Sequence, residues 1–252
     1  EKQITDAKVL WYVNGVLSDT LIFNDDFNGY TTNYFYFPTE GNTYSVKIVK
    51  GGFRNVSATN YVPSEVKIKN LEVTELAGID EEKSAYTSIS LTFKDPIATQ
   101  NFYEIIVSPV GEDKQKFRLW SSDKIITAEV YYPSPLAVEA KNPRRLLFND
   151  KHFNGKEKNI ILYYEPPQFE NIHRRWIGFH IIDIHLRSVT EEYYNYYTSM
   201  LQHKNNQESD ILYGLGEPVN VYSNIEGGYG VFAGYYGDAK TCIVDTLTVY
   251  YK

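Results

Sequence analysis

Cysteine and methionine are almost absent from this chain, which has one of each among 252 residues. A lone Cys242 has no partner for an internal disulfide, so the sequence excludes a disulfide-stapled scaffold and leaves the redox compartment open. Cys242 stands between Thr241 and Ile243-Val244. This setting predicts a small buried hydrophobe rather than a nucleophile, because apolar surroundings keep a thiol protonated.

Long apolar runs are also lacking. No stretch approaches the roughly 20 residues that cross a bilayer as a helix, and no secretory leader is present. The chain opens with Glu1-Lys2-Gln3, without methionine, and enters a predicted strand at Ala7. We therefore interpret it as an artificially trimmed chain or a mature fragment, and expect targeting information to be missing from it.

Concentrated positive charge is missing as well. The net charge is −7, and the lysines and arginines are dispersed apart from the pairs Arg144/Arg145 and Arg174/Arg175. Duplex binding needs a clustered basic footprint, so the composition excludes nucleic acid as a partner.

Motifs for metals, phosphates and cofactors are absent too. Asn24–Gly29 and Phe148–Gly155 each gather side-chain oxygens near a glycine, but neither has the spacing of a calcium loop, so both predict Asx turns. No His-x-x-x-His or Cys-x-x-Cys spacing supports a transition metal. We expect no metal and no cofactor.

One pair of residues keeps an enzymatic alternative open. Asp183 and His185 share a strand face while His180 points to the other, and a carboxylate beside an imidazole is able to orient a general base. No nucleophile motif accompanies them, so a polar pair on a solvated face is the favoured interpretation and a hydrolase the lesser alternative.

Aromatic residues are abundant, with 23 tyrosines and 13 phenylalanines, and such rings fit the surface of a pleated sheet. We predict an all-β fold with a small immunoglobulin- or fibronectin-like β-sandwich over 1–63, followed by a larger antiparallel β domain over 64–252. Alternation from Ala7 to Val13 and the turn dipeptide Asn14-Gly15 predict a first hairpin. Pro63 marks the boundary.

The second domain is predicted from further alternation, which is clearest in Thr87–Phe93. Additional strands are expected at Asn33–Phe37 in the first domain and Ile125–Tyr131 in the second, with a proline-rich loop over 132–143. One helix is predicted near 190–204, because tyrosines recur at helical spacing there and Ser188-Val189-Thr190-Glu191 fits a capping box.

Glycine alternates with aromatic residues over 222–238. The spacing matches neither a phosphate loop nor a dinucleotide fingerprint, so it indicates positive-φ positions and close strand approach, with rings covering the gaps.

These segments together resemble a known family, the Bacteroidetes outer-membrane lipoproteins of domain of unknown function family 4249. The segments that carry the resemblance are, in order, Asp6–Val9 with Asn14-Gly15, Ala58–Pro63, Ile89–Pro96 with Asn101–Tyr103, Leu147–Asp150 with Phe153–Gly155, Ser188–Tyr197, Glu217–Val219 and Asn224–Phe232. The family's leader, its lipid-accepting cysteine and a first strand upstream of Ala7 do not appear in this chain.

The resemblance implies a lipoprotein tethered to the outer membrane and facing outward, in species that pair such proteins with TonB-dependent transporters. It supplies no catalytic residues. We therefore expect a non-enzymatic accessory that captures a glycan or peptide, or organises an uptake complex. A structural or adhesive envelope protein, and a scaffold that binds no small molecule, remain alternatives.

Candidate ligand-binding residues are the aromatic residues near loops of the second domain. They are Trp120, Tyr131, Tyr132 and Trp176. The competing interpretation of each is an ordinary aromatic of the core or of an interface.

Overall fold

The computed structural model describes residues 3–32, 37–80, 84–97, 99–111, 116–123, 143–170, 174–213, 219–244 and 248–251, with the backbone alone at 169–170, 174–177, 205, 207–213 and 248–251. These residues contain sixteen strands and one helix. The predicted all-β class is confirmed. The expected strands at Asn33–Phe37 and Ile125–Tyr131 and the loop at 132–143 lie wholly or largely outside the described residues.

The strands of the amino-terminal part are β1 (Lys8–Val13), β2 (Val16–Asn24), β3 (Gly29–Thr31), β4 (Thr43–Val49) and β5 (Val56–Tyr61). Those that follow are β6 (Ile68–Ile79), β7 (Ala85–Lys94), β8 (Phe102–Pro109), β9 (Leu119–Ser121), β10 (Leu146–Asn149), β11 (Glu157–Tyr164), β12 (Gln168–Glu170), β13 (Arg174–Ile177), β14 (His180–Val189), β15 (Tyr235–Val244) and β16 (Thr248–Tyr251), with the helix α1 (Glu191–Tyr213) between β14 and β15.

The chain forms two compact units. The first comprises Glu1–Ser64, Val189–Met200 and Asn220–Tyr236, and the second comprises Glu65–Ser188, Leu201–Val219 and Gly237–Lys252. The division predicted from the sequence, 1–63 and 64–252, differs from these units because two later segments return to the first one.

The first unit has one antiparallel sheet in the order β3-β2-β1-β4-β5. The predicted hairpin is present: Asn14 and Gly15 have φ of 50° and 79°, as a type I′ turn requires, and Val13 pairs with Val16. The described strands of this unit pair in one sheet, and the immunoglobulin- or fibronectin-like sandwich over 1–63 stays a prediction.

Later residues cover the sheet where a second sheet was expected. The ring of Phe232 meets Trp11 of β1 edge-on at 5.8 Å between centroids. On the free edge of β5, Ser57 and Glu226 exchange backbone hydrogen bonds of 3.1 and 2.8 Å. A hydrophobic sheet face needs a cover, and here a segment far along the chain supplies it.

The Gly-aromatic segment 222–238 is thus structural, as predicted. A Cβ at Gly234 would lie 1.9 Å from the carbonyl oxygen of Tyr61, and Gly227 has φ of 78° with the carbonyl oxygen of Asn55 2.5 Å from its notional Cβ. Asn224 holds Phe232 from both sides, accepting from its N–H at 2.9 Å and donating to its carbonyl at 2.7 Å.

The second unit contains the two-sheet arrangement. Its four-stranded sheets have the orders β10-β8-β14-β15 and β6-β7-β11-β9, and a three-stranded sheet has the order β12-β13-β16. Both four-stranded sheets contribute to one core, which includes Leu91, Phe93, Ile105, Leu162 and Ile184, each with no exposed surface. In β7 the predicted alternation is confirmed, with Ile89, Leu91 and Phe93 buried.

The helix continues well beyond the predicted end at 204. It begins after Thr190, whose carbonyl accepts the first helical hydrogen bond from Tyr194 at 3.1 Å. Ser188 lies in β14, so the expected capping box does not form. No stretch of helix in the described part of the chain is both long and apolar enough to span a bilayer.

Candidate ligand-binding site

Three aromatic rings lie together on the outer face of the sheet β6-β7-β11-β9. Trp120 of β9 and Tyr163 of β11 are direct cross-strand partners, with ring centroids 5.8 Å apart and an interplanar angle of 29°. Tyr86 of β7 meets Trp120 edge-on at 5.7 Å and Tyr163 edge-on at 5.4 Å. We call these three residues the aromatic platform.

Strand alternation places the platform on this face. Tyr163 lies between the buried Leu162 and Tyr164, and its side chain is half-buried. Gly78 of β6 is the cross-strand partner of Tyr86, and a Cβ on Gly78 would lie 2.1 Å from the Tyr86 hydroxyl. The missing side chain therefore makes room for the Tyr86 ring to lie flat over its neighbour.

A polar row continues along the same face. The amide nitrogen of Asn159 donates to the hydroxyls of Ser90 and Thr92 at 2.9 and 2.8 Å. Ile161 stands between this row and the platform and is 42% exposed. The outer face thus combines aromatic surface at one end with fixed hydrogen-bonding groups at the other.

The structure places the four predicted ligand residues differently. Trp120 belongs to the platform. Trp176 lies in β13, where its backbone pairs with Phe169 and Val249 in a separate sheet. Tyr131 and Tyr132 lie outside the described residues. Only Trp120 therefore has a described side-chain environment.

Asp183 and His185 share the half-buried face of β14, and His180 lies on the buried face, as predicted. Asp183 accepts a hydrogen bond from Thr241 of β15 at 2.5 Å. His180 donates from Nδ1 to the carbonyl of Gly178 at 2.9 Å, so a neutral ring accepts at Nε2 from the Tyr164 hydroxyl at 2.8 Å. Burial raises the pKa of Tyr164, which keeps this hydroxyl a donor.

Glu104 of β8 is a fully buried carboxylate with two cationic partners. Arg145 lies 2.9 Å and Arg187 3.3 Å from its two oxygens. A buried charge is tolerated when it is paired in this way, so this cluster has a structural explanation.

A second group of buried carboxylates is made by segments that the resemblance singled out. Asp95 follows β7, and its two carboxylate oxygens accept from the Tyr103 hydroxyl and from the N–H of Gly155, the latter at 2.6 Å. Asp150 follows β10, and its N–H donates to the carbonyl of Asn101 at 3.1 Å. The side-chain amide of Asn101 lies between the two carboxylates, 3.5 Å from Asp95 and 3.3 Å from Asp150.

Two members of this group have raised pKa values. Burial raises the pKa of Asp150 and the negative charge of Asp95 raises it further, against the opposing hydrogen bonds from Asn101. Burial likewise raises the pKa of Tyr103, helped by its bond to Asp95. Asp150 has no exposed surface, and its Oδ1 has no hydrogen-bond partner among the described residues.

A polar depression of about 470 Å³ adjoins Asp150. It is lined by Gln100, Asn149, Asp150, Lys151 and Asn154. The Oδ1 of Asn149 accepts from the N–H of Lys151 at 3.1 Å, which confirms the Asx turn predicted for this segment. The other predicted turn is also present, since Asn24 Oδ1 accepts from Asp26 and Phe27 at 2.9 and 3.2 Å.

No group of three or more His, Cys, Asp or Glu side chains in the described parts of the chain is arranged to hold a metal ion. Cys242 is half-buried against the core of the second unit, and this burial raises the pKa of its thiol.

Sequence reasoning missed two members of the platform and the pairing of Asp95 with Asp150. Tyr86 and Tyr163 carry a usable signal, because each precedes a buried residue of a strand and therefore faces outward. Asp95 and Asp150 are 55 positions apart, and nothing local indicates that the ends of β7 and β10 meet.

Comparison with known proteins adds a family. The family model described as a domain of unknown function, DUF4249, matches residues 1–241. No curated protein matches the chain. A solved structure that the fold matches is a protein from Corynebacterium diphtheriae proposed to be membrane-anchored, with 15% identity, a TM-score of 0.21, and coverage of 73% of this chain and 48% of that one. So low a TM-score gives no basis for transferring a fold or a function.

Proposed function

We propose a role for this chain, which belongs to DUF4249, a family of domains of unknown function. The protein is a non-enzymatic component of the cell envelope that binds a ligand through its second unit. It is carried on the outer membrane by a lipid anchor and acts beside a TonB-dependent transporter in nutrient uptake.

The observation that carries the binding proposal is the aromatic platform with its polar row. Aromatic faces offer a large contact area at low entropic cost and attract the polarised C–H groups of sugar rings. Asn159, Ser90 and Thr92 are held in fixed positions by their mutual hydrogen bonds, which suits them to hydroxyl recognition. We therefore favour a glycan over a peptide as the ligand.

The envelope setting rests on the family resemblance seen in the sequence. A surface that holds a nutrient is useful beside a transporter, and the platform supplies such a surface. The non-enzymatic part of the proposal is supported by the pairing of Asp183 with Thr241, which gives that carboxylate a structural role.

A glycan and peptide array tests the binding site directly. The wild-type protein is expected to retain glycans, and Trp120→Ala to lose at least tenfold in affinity, since aromatic anchors dominate such contacts. Ile243→Ala is the matched control, because it removes an exposed apolar side chain from β15, which belongs to the other four-stranded sheet. Equal glycan binding by Trp120→Ala and wild type would show that the platform is not the binding site. Retention of peptides alone would show that the ligand is a peptide and not a glycan.

The partner is tested separately, by affinity capture from solubilised outer membranes with the anchored full-length protein. Recovery of a TonB-dependent transporter supports the uptake role. Recovery of copies of the same chain alone contradicts it.

A structural or adhesive envelope role is a second candidate, favoured by exposed apolar side chains of the first unit. Phe27, Phe37, Phe53 and Tyr229 are 76%, 77%, 62% and 98% exposed. Large exposed apolar side chains mark association surfaces when they are contiguous. Sedimentation of wild type and Phe53→Ser distinguishes this role: self-association lost in the variant supports it, and a monomeric wild type excludes it.

A hydrolase is the least supported alternative. Turnover of ester, peptide or glycoside substrates by the wild type, lost in His185→Ala, would revive it.

A further inference from the structure

We propose that the ends of β7 and β10 bind a hard divalent cation, best suited to Ca²⁺, between Asp95, Asn101 and Asp150. This site is independent of the aromatic platform and of the uptake role. We call it the Asp95–Asp150 cluster.

The first argument is the gathering of oxygen atoms around one side-chain amide. Four oxygens lie within 3.5 Å of the Asn101 side-chain nitrogen: Thr99 O at 2.9 Å, Pro96 O at 3.3 Å, Asp150 Oδ2 at 3.3 Å and Asp95 Oδ1 at 3.5 Å. An amide group has only two N–H bonds to share among them. Asp95 Oδ1 also accepts from the Tyr103 hydroxyl, and Thr99 O also accepts from the side-chain amide of Asn154 at 3.2 Å. The four oxygens are thus each within reach of a donor, but they are gathered around one position, as the ligands of an ion are.

The second argument is the unpartnered oxygen of Asp150. This residue is fully buried and lines the depression beside Asn149 and Asn154, yet its Oδ1 has no hydrogen-bond partner in the described structure. Leaving a buried carboxylate oxygen unpaired costs stability, more so with a second carboxylate nearby. Glu104 shows that this protein pairs a buried carboxylate with arginines elsewhere.

A hard cation would take the gathered oxygens as ligands and give Asp150 Oδ1 a partner. Ca²⁺ takes six to eight oxygen ligands from carboxylates, amides and backbone carbonyls at about 2.3–2.6 Å, so neighbouring ligand oxygens stand roughly 3.3–3.7 Å apart. Three of the four spacings around Asn101 fall in or at the edge of this range. Since amide nitrogen and oxygen are interchangeable by a flip, Asn101 presents its own oxygen to the ion.

The ligand set also selects the ion. Two carboxylates, one amide and two carbonyls contain no nitrogen or sulfur donor, which disfavours zinc and copper. Mg²⁺ requires near-ideal octahedral geometry and keeps several waters, so it suits this irregular set less well. Lys151 lines the same depression, and its ammonium group opposes the ion and weakens binding.

The test uses the full chain, stripped with EDTA and dialysed, and titrated with CaCl₂ by calorimetry and by thermal unfolding. We expect one ion per chain, weaker binding of Mg²⁺, and a rise in Tm of about 3–6 °C when Ca²⁺ is at ten times its Kd. Absence of both heat and a Tm shift in the wild type overturns the proposal.

Asp150→Asn keeps the shape of the side chain and removes its charge. We expect this variant to lose at least tenfold in Ca²⁺ affinity while matching or exceeding the Tm of the wild type in EDTA, because like-charge repulsion with Asp95 is relieved. Asp26→Asn, in the exposed turn of the first unit, is the matched control and is expected to bind Ca²⁺ as the wild type does.

Unchanged Ca²⁺ affinity in Asp150→Asn contradicts the site. If that variant does not fold, Tb³⁺ luminescence sensitised by tyrosine in the wild type replaces it. Sensitised emission that Ca²⁺ displaces and Mg²⁺ does not supports the proposal, and emission that Ca²⁺ leaves unchanged overturns it.

Discussion

The two units of this protein bury their hydrophobic surface in different ways. The second unit encloses a core between two four-stranded sheets, in which Leu162, Ile184 and many neighbours have no exposed surface. The described strands of the first unit pair in one sheet, its buried residues are fewer and include Val9 and Tyr44, and its cover returns from residue 220 onward.

The two units therefore differ in the interactions that stabilise them. Between two sheets, apolar contact supplies most of the stability, at roughly 25 cal/mol per Å² of buried apolar surface. In the first unit specific hydrogen bonds contribute a larger share, such as the two backbone bonds between Ser57 and Glu226 and the two between the Asn224 side chain and the Phe232 backbone. Core truncation should therefore harm the second unit most, and loss of the cover should harm the first.

The largest expected effect is in the second unit. Leu162→Ala removes a fully buried side chain and leaves a cavity, so we expect a loss of about 2–5 kcal/mol in the free energy of unfolding, measured by urea denaturation. Ile161→Ala, the next residue on the outer face, should cost much less. Equal losses for the two variants would contradict the two-sheet core.

The cover of the first unit depends on a close backbone approach. Gly234→Ala puts a Cβ against the carbonyl of Tyr61, and we expect overpacking to cost about 1–3 kcal/mol. Faster amide exchange in β5 should accompany this loss. The control is Gly51→Ala, because no atom lies within 4 Å of its notional Cβ; a similar loss there would show that glycine replacement itself is the cause.

Asn224→Ala removes the side chain that fixes Phe232. We expect a loss of about 1–2 kcal/mol, because the N–H and carbonyl of Phe232 each lose a partner. Amide exchange at Phe232 should rise while exchange in β7 and β11 stays unchanged. Asn70→Ala, which removes only an exposed bond to Glu72 at 3.1 Å, is the control.

The smallest effect concerns Cys242, at the border of the second core. Because burial raises the pKa of its thiol, less thiolate is present in the folded than in the unfolded protein at any pH near 8. We expect a disulfide reagent to react about tenfold more slowly with the folded protein than in urea. The raised pKa also makes stability depend on pH. The protonated Cys242 thiol favours the folded state over the unfolded one, and this contribution to the free energy of unfolding is lost as pH rises through the folded pKa. Equal reaction rates would show that the thiol is exposed.

Several elements of the fold can be predicted from short stretches of sequence. The alternation in β7, the Asn14-Gly15 turn, the two Asx turns and the start of the helix near 190 follow from backbone and side-chain preferences over a few residues. The end of the helix at Tyr213 was missed because the tyrosines at helical spacing, which predicted the helix, stop at Tyr197. Trp120 was found as a candidate, but its partners Tyr86 and Tyr163 become its neighbours only through strand pairing.

The sequence alone determined the β class, the first hairpin, the strand β7, the two Asx turns and the glycine pattern of 222–238, because each depends on conformational preferences of adjacent residues. The tertiary structure decided which strands pair, which segment covers the first sheet, and that Asp95, Asn101 and Asp150 meet. Those outcomes depend on which hydrophobic faces pack together, and strand periodicity is the same whichever partner a strand has.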